Sequence, residues 1–187
     1  MLKKIVSLLL ALCLAAVAFV PAFAENAAPE KKVVTWNQER QDAFVNAGYS
    51  GKFMLYTSAN LILLIPTDFI KAPVDEASLA NGNLDNFQKE DGSAQISIVQ
   101  KRPSDQITFH SMDEVEAFMR QADPNGSFQQ IVANGLDVLI YAAPAQDILI
   151  IMTLLDNGEL FQVICSNIHT HQELYAFIAS SIQVPAE

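Results

Sequence analysis

Short apolar runs separated by turn residues dominate the second half of the chain. The runs are QQIVA, LDVLIYAA, DILIIMTLL and ELFQVICSN, and the separators are NG, PAQ and DNG. Asn-Gly pairs favour the tight turns of β-hairpins, and Asn157-Gly158 is the strongest example here. We therefore predict an antiparallel meander of four strands over this region.

The third of these runs is apolar at alternating positions in both registers. One set is Ile148, Ile150, Met152 and Leu154, and the other is Leu149, Ile151, Thr153 and Leu155. Successive side chains of a strand point to opposite faces, so both faces of this strand need a cover. The pattern predicts an α+β fold, an α/β/α sandwich with a mostly antiparallel sheet of about six to seven strands and helices on both faces.

The remaining patterns predict the elements that accompany this sheet. TWNQERQDAFVNAG is helical, with a capping-box pattern at Thr35 and Gln38 and a stop at Gly48. Two apolar runs, 52–57 and 60–65, flank SAN and predict a β-hairpin. AQISIVQ alternates as a strand, whereas SMDEVEAFMRQ and HQELYAFIASSIQ carry the 3,4-spaced apolar stripe of helices.

The segment 67–92 is predicted to be a long loop. It contains Pro73, Gly82, Gly92 and three Asn residues, with a short helical turn expected around 75–80. Connections of this length are uncommon in compact domains and often carry function when they occur. We therefore expect this loop to be the first candidate for a binding surface.

The first 24 residues have the organisation of a secretory signal peptide. A basic MLKK start precedes the apolar IVSLLLALCLAAVAFV, and PAFA ends in the small-x-small motif that is cleaved, here after Ala24. The apolar run is short for an uncleaved anchor, and Leu12 before Cys13 disfavours a lipoprotein signal. We therefore predict a secreted or periplasmic protein. Its segments are a signal peptide at 1–24, a flexible tether at 25–33 and one globular domain at 34–185.

Acidic residues outnumber basic ones, which limits the partners of the chain. The whole chain has 11 Lys and Arg against 21 Asp and Glu. Two of the basic residues lie in the predicted signal peptide, so the mature chain has nine and a net charge of −12. A surface of this sign repels phosphate backbones, so we expect no nucleic-acid binding. After the signal, no segment is long and apolar enough to predict a transmembrane helix.

Cys165 is the single cysteine of the predicted mature chain, so we expect no internal disulfide. It follows Phe161 and Val163 at the two-residue spacing of a strand, which predicts a buried side chain. A nucleophilic thiol would need a nearby base and an electropositive setting. We favour the structural interpretation because free cysteines are among the most buried residue types.

All three histidines lie in two similar stretches, FHSMDEVEAF and IHTHQELYAF. A metal site needs three or four convergent ligands, so His110 would have to lie close to His169 and His171. An H-x-H pair is best placed for a metal on a strand, whereas here it precedes a predicted helix. We therefore assign no metal ligand.

The competing interpretation of these stretches is a pair of helix starts. Ser111 with Glu114, and Thr170 with Glu173, have the spacing of capping boxes. In each box the hydroxyl accepts from a backbone N–H, and the carboxylate accepts from an N–H at the helix entry. We favour this interpretation for both stretches.

Motifs of common catalytic and nucleotide-binding sites are absent from the sequence. There is no G-x-S-x-G, no P-loop and no dinucleotide fingerprint, and NGNLDNFQKEDG lacks the spacing of a calcium loop. We therefore predict that the protein is not an enzyme, and we assign no catalytic residue and no cofactor.

The order of the predicted elements and several local phrases resemble the PsbP-like superfamily. The phrases are the stretch Ile65–Phe69, NGLDVLIY at 134–141, DNGELFQVICS at 156–166 and FIASSIQ at 177–183. The resemblance covers roughly residues 34–183 and extends to the DcrB-type bacterial envelope proteins. The matching positions are turn glycines and core residues, and the resemblance implies an accessory or partner-binding role.

We therefore expect an exported, non-enzymatic accessory or partner-binding protein, with another exported or cell-surface protein as its partner. A resemblance of folds does not by itself transfer a function. The alternatives are a small-ligand or metal carrier with a pocket beside the sheet and, less favoured, a hydrolase that uses Cys165 or the histidines.

Overall fold

The computed structural model describes residues 31–102 and 107–186 of the 187-residue chain. The predicted signal peptide and residues 25–30 of the predicted tether lie outside the described residues. The strands of the described part are β1 (Lys32–Val34), β2 (Gly51–Tyr56), β3 (Leu61–Pro66), β4 (Phe69–Ala72), β5 (Asn83–Lys89), β6 (Gln95–Lys101), β7 (Ser127–Ala133), β8 (Leu136–Ala143), β9 (Ile148–Leu154) and β10 (Leu160–Ser166). The helices are α1 (Gln38–Asn46), α2 (Glu76–Ala80), α3 (Met112–Ala122) and α4 (Ile168–Ser181). Within these residues, no helix has the length and hydropathy needed to cross a membrane.

Eight of these strands form one sheet in the order β1-β7-β8-β9-β10-β6-β5-β4. β1 pairs with β7 in parallel, and the other pairs of this sheet are antiparallel. β2 and β3 form a separate two-stranded hairpin, as predicted. The mixed α+β class, the mostly antiparallel sheet and the four-stranded meander from β7 to β10 are therefore confirmed.

The predicted number of six to seven strands is wrong, because the described part of the main sheet has eight and the hairpin adds two. Neither edge strand of the main sheet, β1 or β4, was predicted from the sequence. β1 has three residues and takes two of them, Lys32 and Val33, from the predicted tether. β4 has four residues and directly follows the hairpin. Strands this short contain too few positions for a two-residue period to be recognised.

The prediction of a long loop at 67–92 is also wrong. This segment contains β4, α2 and β5, so its elements are joined by short turns. β5 has just two buried side chains, Asp85 and Phe87. Two of its other residues pair with polar residues of β6, Asn86 opposite Ser97 and Gln88 opposite Gln95. A strand with one polar face has the composition of a loop when the sequence alone is considered.

Two residues of this segment place α2 and β5. The expected helical turn is confirmed as α2, whose start is capped by Asp75 Oδ1 accepting from Ser78 N at 2.7 Å. Gly82 then has a φ of +85°, and an added Cβ would lie 2.3 Å from the carbonyl oxygen of Gln100. The glycine that favoured a loop therefore permits a close approach of β5 to β6.

The side chains of β9 divide between two apolar clusters on opposite faces of the main sheet. Ile151 belongs to the larger cluster, and Met152 belongs to the smaller one. The larger cluster contains residues of α1, the β2–β3 hairpin and α4, whereas the smaller cluster contains Met112 and Val115 of α3. The apolar cover that the alternation predicted on both faces of this strand is therefore observed.

The predicted capping box at the start of α3 is confirmed. Ser111 Oγ accepts from Glu114 N at 3.3 Å. Glu114 Oε2 accepts in turn from His110 N at 2.8 Å. The phrase around His110 is therefore a helix start, in which the histidine contributes its backbone N–H.

The predicted capping box at Thr170 and Glu173 is wrong. α4 begins directly after Asn167, whose φ of 57° is left-handed and whose side chain does not cap the helix. His171 then has non-helical φ and ψ of −120° and 23° before the helix continues. The helix is entered earlier because Asn167 N donates to Asp147 O at 3.0 Å, which fixes the chain at that point.

The start of α1 also differs from its prediction. Thr35 does not cap the helix, and Asn37 Oδ1 accepts from Arg40 N at 3.0 Å instead. The predicted stop is confirmed, because Gly48 follows the helix with a φ of +86°.

Asn134 joins three segments that are distant in sequence. It lies in the turn between β7 and β8 with a φ of 50°. Its Oδ1 accepts from Trp36 N at 2.6 Å, and its Nδ2 donates to Ser180 O at 3.0 Å and to Ile182 O at 2.8 Å. One side chain therefore fastens the segment before α1 and the end of α4 to the main sheet.

Ser111→Ala should destabilise the fold by about 1 kcal/mol, because it removes the hydroxyl that caps α3. Thr170→Ala is the matched control and should change the free energy of unfolding by less than about 0.5 kcal/mol. Urea denaturation of both variants measures the difference. Equal losses of unfolding free energy in the two variants would contradict the conclusion that a capping box forms at Ser111 and not at Thr170.

Asn134→Gly should destabilise the fold by roughly 3 kcal/mol, because glycine keeps the left-handed turn but loses three hydrogen bonds of about 1 kcal/mol each. Asn60→Gly is the control, since Asn60 has a φ of 52° and its exposed side chain makes no hydrogen bond to any described residue. Denaturation curves compare the two variants. A loss no greater than that of the control would show that the three bonds contribute nothing.

Candidate functional site

The structure does not bring the three histidines together. His110 lies at the start of α3, whereas His169 and His171 lie in α4, which packs in the other cluster. His169 Nε2 is 3.8 Å from Asp147 Oδ1. Within the described ranges, no group of three or more His, Cys, Asp or Glu side chains could hold a metal ion.

Cys165 lies in the larger cluster and has no solvent exposure, as its spacing in β10 predicted. Burial raises the pKa of its thiol far above the usual value. The thiol is therefore protonated at neutral pH, and a protonated buried thiol is a poor nucleophile.

His171 is a half-buried residue inside α4, and its Nε2 atom is buried. Its ring lies 6.5 Å from that of Phe69 and 6.0 Å from that of Tyr175, and its Nε2 has no hydrogen-bond partner among the described residues. Burial lowers its pKa, and the positive charge of Lys89 lowers it further against the opposing effect of two aspartates. The folded protein therefore favours the neutral ring.

His171→Phe should weaken the dependence of stability on pH. The unfolded chain takes up a proton near pH 6.5, whereas the folded chain takes it up at a lower pH, so wild-type stability should fall as the pH drops below about 6.5. Melting temperatures at pH 7.5 and 5.5 measure this, with the exposed His110→Gln as control. A fall in the His171→Phe variant as large as in the wild type would contradict this assignment.

A cavity of about 480 Å³ lies between α1, α4 and the strands β7, β8 and β9. It opens on the sheet face that carries the larger cluster. Its apolar lining consists of Ala43, Ile140, Ala142, Pro144, Leu149, Ile168, Ala176 and Phe177. Its polar lining consists of Arg40, Tyr49, Ser127, Gln129, His169, Thr170, Gln172, Glu173 and Tyr175. The volume, and a lining in which apolar side chains adjoin polar ones, are typical of small-molecule sites.

Arg40 is the cation of this cavity and is half-buried. Its guanidinium carbon lies 5.1 Å from the centroid of the Phe177 ring, and its Nε donates to Ser180 Oγ at 3.2 Å. None of the described carboxylates lies within 4.0 Å of the guanidinium. Its two terminal nitrogens therefore keep donors that no side chain of the described residues satisfies.

An aromatic cluster fixes the ring beneath Arg40. Phe177 makes edge-to-face contacts with Phe44 at 5.4 Å, with Tyr49 at 6.1 Å and with Trp36 at 6.4 Å. Such pairs stabilise one relative orientation of the rings. The cation–π contact of Arg40 is therefore made to a ring that is held in place by α1 and by the segments on either side of it.

Further polar groups of the cavity are neutral donors. The side chains of Ser127 and Gln129 and the Tyr49 hydroxyl make no hydrogen bond to another described residue. Burial raises the pKa of Tyr49, and the negative charge of Glu173 raises it further, so the phenol keeps its proton at neutral pH. Glu173 itself is exposed. The cavity thus presents one cation, several neutral hydrogen-bonding groups and one exposed carboxylate.

This site was missed by the sequence interpretation, although part of its signal is present. Arg40, Ala43 and Phe44 have the i, i+3, i+4 spacing of one helix face, which places the cation beside the buried Phe44. The partner half of the site is α4, 140 residues further along the chain at Ser180. No local pattern connects two helices at that distance.

Comparisons with known proteins support no assignment of a family. No profile of a known protein family matches the chain, and no curated protein sequence matches it significantly. The structure is similar to the solution structure of cyanobacterial PsbP (CyanoP) from Synechocystis sp. PCC 6803, with 20% sequence identity and a TM-score of 0.49. The match covers 73% of this chain and 93% of the other chain. The more specific resemblance to DcrB-type proteins stays a prediction.

Proposed function

We propose that the protein is an exported, non-enzymatic binding protein that holds a small organic molecule in the cavity between α1, α4 and the main sheet. The observation that carries the proposal is a cavity of about 480 Å³ in which an apolar lining adjoins an arginine without a carboxylate partner. In small-molecule sites, a few polar groups orient a ligand whose contacts are otherwise apolar.

The observed structure of 67–92 favours small-molecule binding over the binding of a protein partner. That expectation rested on a long loop, and the segment instead forms β4, α2 and β5. The small-ligand alternative required a pocket beside the sheet, and the cavity meets that requirement. An organic ligand is favoured over a metal because the described side chains bring no three metal-binding groups together.

Binding is also favoured over hydrolysis by the geometry around the cavity. Ser127, His169 and Asp147 are the residue types of a hydrolytic triad, and two of them line the cavity. No hydrogen bond joins Ser127 to His169, and the 3.8 Å between His169 Nε2 and Asp147 Oδ1 exceeds hydrogen-bond length. Nucleophilic catalysis needs the nucleophile and its base within reach of each other.

The binding proposal is tested by native mass spectrometry of the protein purified from its own host, with and without mild denaturation. We expect a non-covalently bound mass that is released on unfolding. Ala176→Trp should abolish it, because the indole fills the cavity from α4. Ala117→Trp is the matched control, since Ala117 is exposed on α3 at the opposite face, and it should retain the bound mass. Equal retention by both variants would contradict the proposed site.

The non-enzymatic part of the proposal is tested separately with p-nitrophenyl octanoate, an apolar ester. We expect the wild type to release p-nitrophenol no faster than Ser127→Ala. A rate that falls at least tenfold in Ser127→Ala and in His169→Gln would instead establish a hydrolase.

A further inference from the structure

The cavity contains a positive charge that the fold itself does not neutralise. The predicted mature chain has 21 acidic residues against nine basic ones, yet none of the described carboxylates pairs with Arg40. Four other cations of the described residues form ion pairs, among them Lys71 with Asp85 at 2.5 Å and Arg120 with Glu116 at 2.7 Å. A half-buried cation gains free energy from an anionic partner, because burial removes part of its hydration.

We infer that the cavity binds an amphipathic monoanion, an apolar molecule that ends in a single carboxylate, with the carboxylate held by Arg40. This inference rests on the proposed binding function and adds the chemical class of the ligand. A carboxylate matches the planar guanidinium, which can donate two parallel hydrogen bonds to its two oxygens. The Nε of Arg40 is already bonded to Ser180, so the terminal nitrogens are the free donors.

The charged and apolar ends of the cavity determine the orientation of the bound ligand. Arg40 lies beside Phe177 and Ser180, towards the C-terminal end of α4. Ile168 and Leu149 line the cavity near the start of α4, about two to three helical turns away. An anionic head group at Arg40 therefore places an alkyl or aryl body along the apolar floor.

Glu173 limits the ligand to a single negative charge. It lies one helical turn from Phe177 on α4, lines the cavity and is exposed to solvent. A second carboxylate on the ligand would approach this like charge, whereas an apolar body would not. The arrangement therefore favours a monoanion over a dicarboxylate.

The inference is tested with octanoate and 1-octanol, which share an alkyl chain and differ in charge at pH 7.5. Titrations monitored by ¹H–¹⁵N NMR should show that octanoate binds at least about tenfold more tightly than 1-octanol, since hydrogen bonds between charged partners are stronger than those of a neutral hydroxyl. The octanoate affinity should fall between about 0.05 and 0.5 M salt, and the 1-octanol affinity should change little. Octanedioate should bind more weakly than octanoate.

Variants assign the preference to Arg40. Arg40→Gln should remove the preference for octanoate while leaving 1-octanol binding within about threefold of the wild type. Lys52→Gln is the control, because it removes an exposed cation of β2 outside the cavity lining and should retain the preference. Equal affinities for octanoate and 1-octanol in the wild type, or a preference that survives in Arg40→Gln, would overturn the inference.

The two proposals fail in different ways. Binding of 1-octanol that Ala176→Trp abolishes, without a preference for octanoate, would retain the cavity function and overturn the ligand class. If neither compound bound, or if Ala176→Trp bound both as the wild type does, the cavity function and the ligand class would both be overturned.

Discussion

The side chain of Asn134 is the interaction on which the arrangement of this site depends. Its three hydrogen bonds reach from the β7–β8 turn to Trp36, just before α1, and to Ser180 and Ile182 at the end of α4. These bonds connect the segment before α1 and the end of α4 to the same turn of the main sheet. The separation of α1 from α4 is thereby set at one end, where Arg40 reaches Ser180 and covers the Phe177 ring.

The cavity exists because α4 is fixed at both ends, while small side chains line the space between it, α1 and the main sheet. The opposite end of α4 is fixed separately, by the bond between Asn167 N and Asp147 O and by Tyr175 Oη donating to Ser166 O at 2.5 Å. Between the two ends, small side chains face the gap, namely Ala43 of α1, Ala142 of β8 and Ala176 of α4. Close packing would need larger side chains at these positions, so the space left open is a property of the sequence.

Most of the scaffold could be predicted from the sequence, whereas the site could not. The meander, the hairpin and the cover on both faces of β9 follow from residue spacing alone, because Ile151 and Met152 alternate between two clusters. The prediction of a loop at 67–92 was wrong because β5 has a polar face and β4 has only four residues. The predicted capping box at Thr170 was wrong because α4 begins earlier, directly after Asn167, whose backbone N–H is held by Asp147 O. The cavity was missed because it joins Arg40 to α4, and such contacts leave no local pattern.

The central claim is that an anionic head group lies at Arg40 with its apolar body along the sheet. The most direct measurement is the set of intermolecular NOEs between octanoate and the methyl-labelled protein. We predict contacts from the terminal methyl of octanoate to Leu149 and Ile168, together with shifts of the Arg40 side-chain resonances. Contacts confined to exposed apolar side chains outside the cavity, such as Leu55 or Ile70, with unchanged Arg40 resonances, would contradict the account.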